Sequence, residues 1–331
     1  MRSVGRAFSA LGARQQQLDR FVVWEGRHKT AGFVAVYAVM DGHCGAVSVD
    51  VASTHLTPLL LRHAQWQLPS PNVLAVLEDA VNELERLVTN ATEHARVFDG
   101  STLTVVVVAG GDLFLAHLGD SRAGVVSDED ALVWISHEHR VTAAPEAQRL
   151  RAVGADVRHG RLLGPKKHLD VSRALGDRDH KSNAPHALVA VPQLLCHRVR
   201  PHDRLLLLGT DGLWNIPFLD DSDFESMANT AALAHAHPSE QTKAFVEEAL
   251  RFSAQDNVTL VLITLHTPYA QPEHLLLPRQ PPLSGVTYDR APPVAAGFEC
   301  TYWETSAVGA TLTKHTKTTQ RRSFLSFLTR H

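Results

Sequence analysis

The hydrophobic residues of this chain are concentrated in short runs rich in Val and Leu, each bounded by Gly, Asp or Asn, and this pattern predicts β-strands. The runs cover Phe33–Val39, Leu103–Val108, Leu113–Leu118, Leu205–Leu208 and Val258–Leu265. Between the second and third runs stands an Ala-Gly-Gly-Asp segment, residues 109–112. Two strands so closely joined are predicted to form a tight antiparallel hairpin.

Three segments between these strands have helical periodicity. Apolar residues in Val73–Val88 recur at three- and four-residue spacing, which predicts an amphipathic helix. A second helix is expected to begin near Thr142 and Pro145 and to stop at Gly154. Ser239 is expected to cap a third helix. The residues that this third helix should bury are Phe245, Ala249 and Leu250.

The order of these elements predicts the fold class. Strands and helices come in clusters that include a hairpin, which favours α+β layers over a doubly wound sheet. The chain has 331 residues, of which 44% are hydrophobic, and this suffices for one large domain with a tail. We predict a domain over residues 1–265, which we expect to be a monomer.

Charge and cysteine content narrow the class of protein. A net charge of −3 gives no electrostatic footprint for nucleic acid. The chain has three cysteines, which are widely spaced and odd in number. They argue against a framework of disulfide bonds and favour a reducing, cytoplasmic compartment. No apolar stretch reaches the roughly 18 residues that a transmembrane helix needs. Arg2, Arg6 and Arg14 precede the first acid and would suit a mitochondrial presequence, but residues 9–21 are better used as part of the domain.

The composition changes after residue 265. Seven of the 17 prolines lie in Pro268–Pro293, which predicts an extended linker over residues 266–304. Residues 305–331 carry five Lys or Arg and no acid, and they end in the apolar cluster Phe324–Leu328. Two interpretations of this tail remain open. It is either a flexible disordered segment or a basic anchor for a membrane surface or a partner protein.

Four aspartates stand at strand ends. Asp41 follows the first run, Asp120 follows the hairpin, Asp211 follows the fourth run, and Asp256 precedes the last. If these strands share a sheet edge, the four carboxylates converge, and a bound cation relieves their repulsion. Hard Mg²⁺ or Mn²⁺ suits such an all-oxygen site. The alternative is that each Asp beside Gly simply forms a turn.

The motifs that contain these aspartates resemble, in their order, those of the PP2C-type (PPM) metal-dependent serine/threonine protein phosphatases. The resemblance extends from about Phe8 to Leu265. It implies a β-sandwich of two antiparallel sheets flanked by helices, in αββα layers. The motifs are Asp41-Gly42-His43, Gly100-Ser101-Thr102, Gly119-Asp120-Ser121-Arg122, Ser172-Arg173-Ala174-Leu175-Gly176-Asp177, Asp211-Gly212-Leu213-Trp214 and Asp256-Asn257.

The resemblance also implies a centre of two Mg²⁺ or Mn²⁺ ions that activates water for attack on a phosphoprotein. Asp41 would bridge the two ions, and Gly42 would offer its carbonyl. Asp211 and Asp256 would hold the first ion, and Asp120 would contribute to a third, weaker site.

Two further residues receive roles from the same resemblance. His43 would protonate the leaving serine or threonine oxygen, because an imidazole can act as a general acid near neutral pH. Arg14 would bind the phosphate oxygens with its guanidinium fork.

Three positions depart from the family pattern. Leu18 stands where relatives have a glutamate ligand of the second ion, so that ion should bind weakly, and Asp19 remains to hold a water bound to the metal. Cys44 replaces a glycine, which costs about 1 kcal/mol if the backbone needs a positive φ. Asn215 replaces an aspartate of the third site and weakens it. Both an attenuated phosphatase and a pseudophosphatase that serves as a protein-binding module are therefore open.

Overall fold

Two antiparallel sheets pack face to face in the computed structural model, which describes residues 2–127, 132–216, 219–234, 237–252, 255–266, 298–305 and 312–318. The strands are β1 (Arg2–Ala10), β2 (Asp19–His28), β3 (Gly32–His43), β4 (Gly100–Ser101), β5 (Leu103–Ala109), β6 (Asp112–Leu118), β7 (Arg122–Ser127), β8 (Val133–Trp134), β9 (Val157–Arg158), β10 (Arg161–Leu163), β11 (His168–Leu169), β12 (Leu175–Gly176), β13 (Gln193–Arg198), β14 (Asp203–Gly209), β15 (Val258–His266), β16 (Phe298–Thr305) and β17 (Leu312–Thr318).

Helices cover the outer faces of the two sheets. A 3₁₀ turn, Ala64–Gln67, links the first two of them. The helices are α1 (Val47–Arg62), α2 (Val73–Ala95), α3 (Ala144–Ala152), α4 (Arg178–Asn183), α5 (Asp211–Trp214), α6 (Asp221–Ala234) and α7 (Pro238–Leu250).

The order of strands shows how the chain builds the sandwich. One sheet runs β1-β15-β14-β7-β8, and the other runs β13-β6-β5-β3-β2-β16-β17. A small separate sheet, β11-β10-β9, lies beside them, and β4 pairs with both β3 and β12. The predicted hairpin is confirmed, because β5 and β6 pair antiparallel from Leu103 opposite Leu118 to Ala109 opposite Asp112.

The long apolar runs are explained by strands that are buried on both faces. In β3, Val34, Val36 and Ala38 pack in the cluster formed with α1 and α2. The alternate residues Tyr37 and Val39 pack between the two sheets. Because successive side chains of a strand point to opposite faces, a strand covered on both sides has no polar alternation.

The other sheet follows the same rule and completes the layers. In β14, Leu206 and Leu208 face the sandwich interior, whereas Leu205 and Leu207 pack with residues of α6 and α7. The order helices, sheet, sheet, helices is the αββα arrangement, and the predicted α+β class is confirmed.

The predicted helices are confirmed with one correction at a cap. α2, α3 and α7 occupy the three periodic segments, and Gly154 follows α3 in the left-handed region with φ +66°. The cap of α7 is not Ser239. His237 caps the helix and accepts a hydrogen bond from the Ser239 backbone N–H. Pro238 takes the first helical position, so the cap lies two residues upstream of Ser239. Phe245 and Ala249 are buried, and Leu250 is half-buried.

Two strands lie where the sequence predicts a linker and a tail. β16 pairs antiparallel with β2, from Phe298 opposite His28 to Thr301 opposite Glu25, and β17 pairs with β16. Backbone pairing thus extends this sheet beyond the predicted domain of residues 1–265. The proline-rich residues 267–297 and the apolar cluster of the tail lie outside the described residues, so the linker and the anchor stay predictions. At the other end, β1 pairs with β15 along its whole length.

None of the helices described in the structure is long and apolar enough to cross a membrane.

Candidate active site

The strand-end aspartates converge at one end of the sandwich, in a cleft of about 500 Å³. Asp41 lies near the end of β3, which extends to His43, and it pairs with Asp19, the first residue of β2. All four aspartates line this one cavity, as expected for strands that share a sheet edge, and their role as metal ligands stays a prediction. The lining includes Arg14, Leu18, Asp41, Gly42, His43, Cys44, Asp120, Asp211 and Asp256.

Backbone hydrogen bonds hold Asp41 and Gly42 in place. The Asp41 N–H donates to Thr102 Oγ1 at 2.9 Å, and the Thr102 N–H donates to the Asp41 carbonyl at 2.9 Å. The Gly42 N–H donates to the Leu18 carbonyl at 3.2 Å. A Cβ on Gly42 would lie 2.8 Å from Val49 Cγ1 and 2.9 Å from the Leu18 oxygen. This close approach of β2 and β3 therefore requires glycine at position 42.

The carboxylates of the cleft repel one another. Burial raises the pKa of Asp19 and of Asp120 to about 7, and the nearby Asp211 adds to both shifts. The pKa of Asp41 lies well above its ordinary value because of burial and the charges of Asp19 and Asp211. Burial and Asp256 also raise the pKa of Asp211. Such a set of carboxyls favours either shared protons or a bound cation.

Protein donors satisfy several of these carboxylates in the structure. Arg14 Nη2 lies 2.6 Å from Asp256 Oδ2, and Asn215 Nδ2 donates to Asp211 Oδ2 at 2.8 Å. Arg140 Nη2 lies 3.1 Å from Asp120 Oδ2 and 3.4 Å from Asp211 Oδ2.

With these donors in place, the part of the chain that the structure describes contains no group of three or more His, Cys, Asp or Glu side chains arranged to hold a metal ion. The donor chemistry itself fits a hard divalent cation, because the converging ligands are carboxylate oxygens whose negative charges are incompletely neutralised.

Asp19 and Leu18 are neighbours in sequence but face different surroundings. Asp19 is buried, and its Oδ2 accepts hydrogen bonds from Thr210 Oγ1 at 2.8 Å and Thr259 Oγ1 at 2.7 Å. Leu18 is half-buried and lines the cleft, and its N–H donates to Asn257 Oδ1 at 2.8 Å. Asp19 therefore has a structural anchor beneath the cleft, and its role toward a metal-bound water stays a prediction.

His43 belongs to a charged network that the sequence motif alone does not reveal. Its Nε2 lies 2.9 Å from Asp177 Oδ2, and Lys167 Nζ lies 2.5 Å from Asp177 Oδ1. Burial raises the pKa of Asp177, but His43 and Lys167 outweigh it and bring the value to about 2. A Cβ on Gly100 would lie 2.1 Å from Asp177 Oδ2 and 2.5 Å from His43 Nε2, so the pair needs glycine there.

Cys44 has the backbone conformation that its place in the glycine pattern predicts. Its φ is +62°, and the side chain is exposed. Loss of hydration, with acidic neighbours that include Asp177, raises the pKa of the thiol. A raised pKa disfavours the thiolate, so Cys44 lacks the signature of a reactive cysteine.

Sequence reasoning did not identify Asp177, Lys167 and Arg140 as partners of the site residues. Asp177 ends one of the recognised motifs, and that position was the available signal. Lys167 and Arg140 stand in no motif that we identified, and only the folded chain brings them to the cleft.

Known proteins resemble this chain in sequence and in fold. A sequence model of the family described as protein phosphatase 2C matches residues 6–258. The chain is 28% identical over 290 residues to the probable protein phosphatase 2C 22 of Arabidopsis thaliana, which covers 82% of this chain and 71% of that relative. It is 28% identical over 257 residues to the Homo sapiens integrin-linked kinase-associated serine/threonine phosphatase 2C, with 70% of this chain and 63% of that relative covered.

Solved structures show the same architecture. The serine-threonine phosphatase 2C from Toxoplasma gondii superposes with a TM-score of 0.68 at 22% identity, over 79% of this chain and 94% of its own. The Mycobacterium tuberculosis serine/threonine phosphatase PstP/Ppp superposes with a TM-score of 0.56 at 25% identity, over 80% and 99%. These similarities agree with the layered sandwich that the sequence predicts.

Proposed function

Because the chain belongs to the protein phosphatase 2C family, a family of metal-dependent phosphatases, we propose that it hydrolyses phosphoserine and phosphothreonine in proteins with the help of Mg²⁺ or Mn²⁺. One observation carries the proposal. A single cleft contains four carboxylates, an arginine, and a histidine that is paired to a buried aspartate, and the pKa of three of these carboxyls, Asp41, Asp120 and Asp211, is raised.

The carboxylates Asp41, Asp211 and Asp256, with the Gly42 carbonyl, are the groups that would hold a divalent cation, and Asp120 would support a weaker one. A cation bound there supplies a Lewis acid that makes water more acidic and offsets the negative charge of the phosphate. Leu18 contributes no ligand, so we propose that the second cation is held weakly and that turnover is attenuated.

His43 is the proposed proton donor to the leaving oxygen. The His43 Nε2 lies 2.9 Å from both carboxylate oxygens of Asp177, and Lys167 Nζ lies 2.5 Å from Oδ1 of the same carboxylate, so the orientation of the imidazole is fixed. A fixed imidazole that carries a proton can deliver it to the serine or threonine oxygen as the P–O bond breaks. Asp177 thus acts as a positioning residue, because it touches His43 and not the substrate.

Arg14 is the proposed phosphate-binding residue. Its side chain is 59% exposed at the rim of the cleft, and its described ion pair is with Asp256. A guanidinium can form two parallel hydrogen bonds to phosphate oxygens. Asp256 would lose this attraction for Arg14 if it served as a cation ligand, and Arg14 would then be available to bind a phosphoryl group.

The competing proposal is a protein-binding module that retains the fold without turnover. Leu18 and Asn215 favour this alternative, because each replaces a charged oxygen ligand of the relatives. An active phosphatase is favoured by five residues that the family pattern requires, since binding of a protein alone does not require all of them. These residues are Arg14, Asp41, His43, Asp211 and Asp256.

The test is hydrolysis of a phosphothreonine peptide by the purified full chain, followed as release of inorganic phosphate. We expect turnover with Mn²⁺ or Mg²⁺ and none in EDTA. His43→Gln, which keeps a polar side chain but no comparable acid, should be the inactive control. Equal rates in EDTA and Mn²⁺ would contradict metal dependence, and no turnover at any metal concentration would favour the binding module.

A further inference from the structure

Arg140 lies among three carboxylates, and two of them, Asp120 and Asp211, line the cleft. Its Nη2 is 3.1 Å from Asp120 Oδ2 and 3.4 Å from Asp211 Oδ2, and its Nε is 3.3 Å from Glu138 Oε1. The side chain is 29% exposed, and that of Asp120 is 8% exposed. This one guanidinium therefore bridges two acids that follow the ends of different strands, Asp120 after β6 and Asp211 after β14. Water has only partial access to it.

Around Arg140, neutral and positively charged groups surround the acids. Asn215, an amide, donates to Asp211 at 2.8 Å and adds no negative charge. Glu138 is shared with Arg122, whose Nη2 lies 3.0 Å from Glu138 Oε2. Thus two arginines face the three acids Asp120, Glu138 and Asp211, and Arg122 also lies 3.6 Å from Asp221 Oδ1, so the negative charge is offset in part.

We propose that Arg140 is an internal cation that neutralises Asp120 and Asp211 and thereby disfavours a divalent cation at this corner of the cleft. The inference rests on the proposed function, because Asp211 is also a proposed ligand of the catalytic cation. It adds a specificity-determining residue: Arg140 sets how many cations the cleft binds and how tightly.

The physical reason is competition for the same oxygen atoms. A divalent ion that approached Asp120 and Asp211 would meet a fixed positive charge at hydrogen-bond distance from both. It would bind only if Arg140 moved away, and the guanidinium would then lose its bonds in a site with low effective dielectric constant. Arg14 differs, because its 59% exposed side chain can return to water.

The test compares the wild-type chain with Arg140→Gln, which keeps a hydrogen-bond donor but no charge. Arg140→Lys keeps the charge but lacks the planar fork that bridges two carboxylates. Arg158→Gln is the matched control, because Arg158 is an exposed arginine paired with Asp156, and neither residue lines the cleft. Bound Mn²⁺ is counted by titration against the electron paramagnetic resonance signal of free Mn²⁺, and melting temperature is measured in EDTA.

In Arg140→Gln we expect one additional Mn²⁺ per chain, or at least tenfold tighter binding of the weakest Mn²⁺, about 1.4 kcal/mol. Its melting temperature in EDTA should fall, because the acids then repel without an internal cation. Arg140→Lys should show a smaller change in the same direction, and Arg158→Gln should match the wild type.

A Mn²⁺ titration of Arg140→Gln that superimposes on the wild type would overturn the inference. If Arg140→Gln does not fold, Arg140→Lys decides, since tighter Mn²⁺ binding supports the inference and an unchanged titration overturns it. If the wild type binds no Mn²⁺ at all, the proposed function fails. In that case a gain of Mn²⁺ binding by Arg140→Gln still supports the role of Arg140, and the absence of a gain refutes it.

Discussion

Replacing Leu18 by glutamate restores the carboxylate that the family pattern has at this position. The backbone of Leu18 is held by two hydrogen bonds, from its N–H to Asn257 Oδ1 and from the Gly42 N–H to its carbonyl. Neither bond involves the side chain, so the substitution should leave the strand in place. Leu18 is half-buried on the cleft wall, and it packs in none of the hydrophobic clusters of the described residues.

The expected magnitudes follow from this position. Complete burial of a leucine stabilises by roughly 1.5–3 kcal/mol, so a half-buried one loses about 1 kcal/mol when it is replaced. The introduced glutamate would also be repelled by the acids of the cleft. Two unit negative charges about 6 Å apart repel by about 3 kcal/mol at an effective dielectric constant of about 20. Without a cation, the free energy of unfolding of Leu18→Glu should therefore fall by roughly 1–4 kcal/mol. A doubly charged cation reverses the sign of the electrostatic contribution.

The assay is Mn²⁺ affinity, turnover and melting temperature for the wild type, Leu18→Glu and Leu18→Gln. Glutamine has the length of glutamate without its charge and so isolates the effect of the carboxylate. We expect at least tenfold tighter Mn²⁺ binding and faster turnover for Leu18→Glu only. A Leu18→Glu chain that melts lower, binds Mn²⁺ no more tightly and stays slow would refute the weakened-ligand reasoning and favour the binding module.

Three further substitutions test other parts of the cleft and core. Asp211→Asn should weaken Mn²⁺ binding by at least tenfold and abolish most turnover, while the melting temperature in EDTA stays within a few degrees of the wild type, because ionised Asp211 is already disfavoured by burial and Asp256; unchanged Mn²⁺ affinity would contradict its role as a ligand. Asp177→Asn should lower kcat by about 10²-fold with little change in KM, because His43 loses the charge that orients it; a change in KM alone would contradict a positioning role. Burial lowers the pKa of His117 to about 3 and that of the stacked His139 to about 2. Because these folded-state values lie below the unfolded value, their stabilising contribution is complete above about pH 6.5 and is lost as the pH falls toward 3. His139→Gln should reduce the slope of unfolding free energy against pH in that window by about 1.4 kcal/mol per pH unit in urea titrations, and equal slopes would contradict the assignment.

The sequence predicted the strands that are buried on both faces. It did not predict elements that combine apolar residues with charged residues or poor helix formers. β3 and β14 are covered on both faces, so their apolar runs stand out. β2 contains charged residues, and one of them, Glu25, is accommodated by a hydrogen bond from the Gly5 N–H that exists only in the sandwich. α1 was missed because β-branched residues in its first turns and Pro58 inside it are poor helix formers. Tertiary packing overrides these local preferences.

The sequence likewise predicted only those residues of the candidate site that adjoin uniformly buried strands. Asp41, Asp120, Asp211 and Asp256 could be found because each stands at the end of a readable strand. The partners that complete the site come from distant segments. Asp177 lies 134 residues from His43 in the chain, and no local pattern indicates that pairing.

By itself, the sequence determined the layered α+β class, the hairpin and the four aspartates at strand ends, because these depend on local periodicity and on where apolar runs end. Only the tertiary structure decided which charges meet in the cleft. It placed Arg140 between Asp120 and Asp211, Lys167 on Asp177, and Asp19 beneath the cleft on Thr210 and Thr259. The reason is physical: electrostatic interactions and hydrogen bonds depend on distances of a few ångströms between segments far apart in the chain, and the order of residues does not specify those distances.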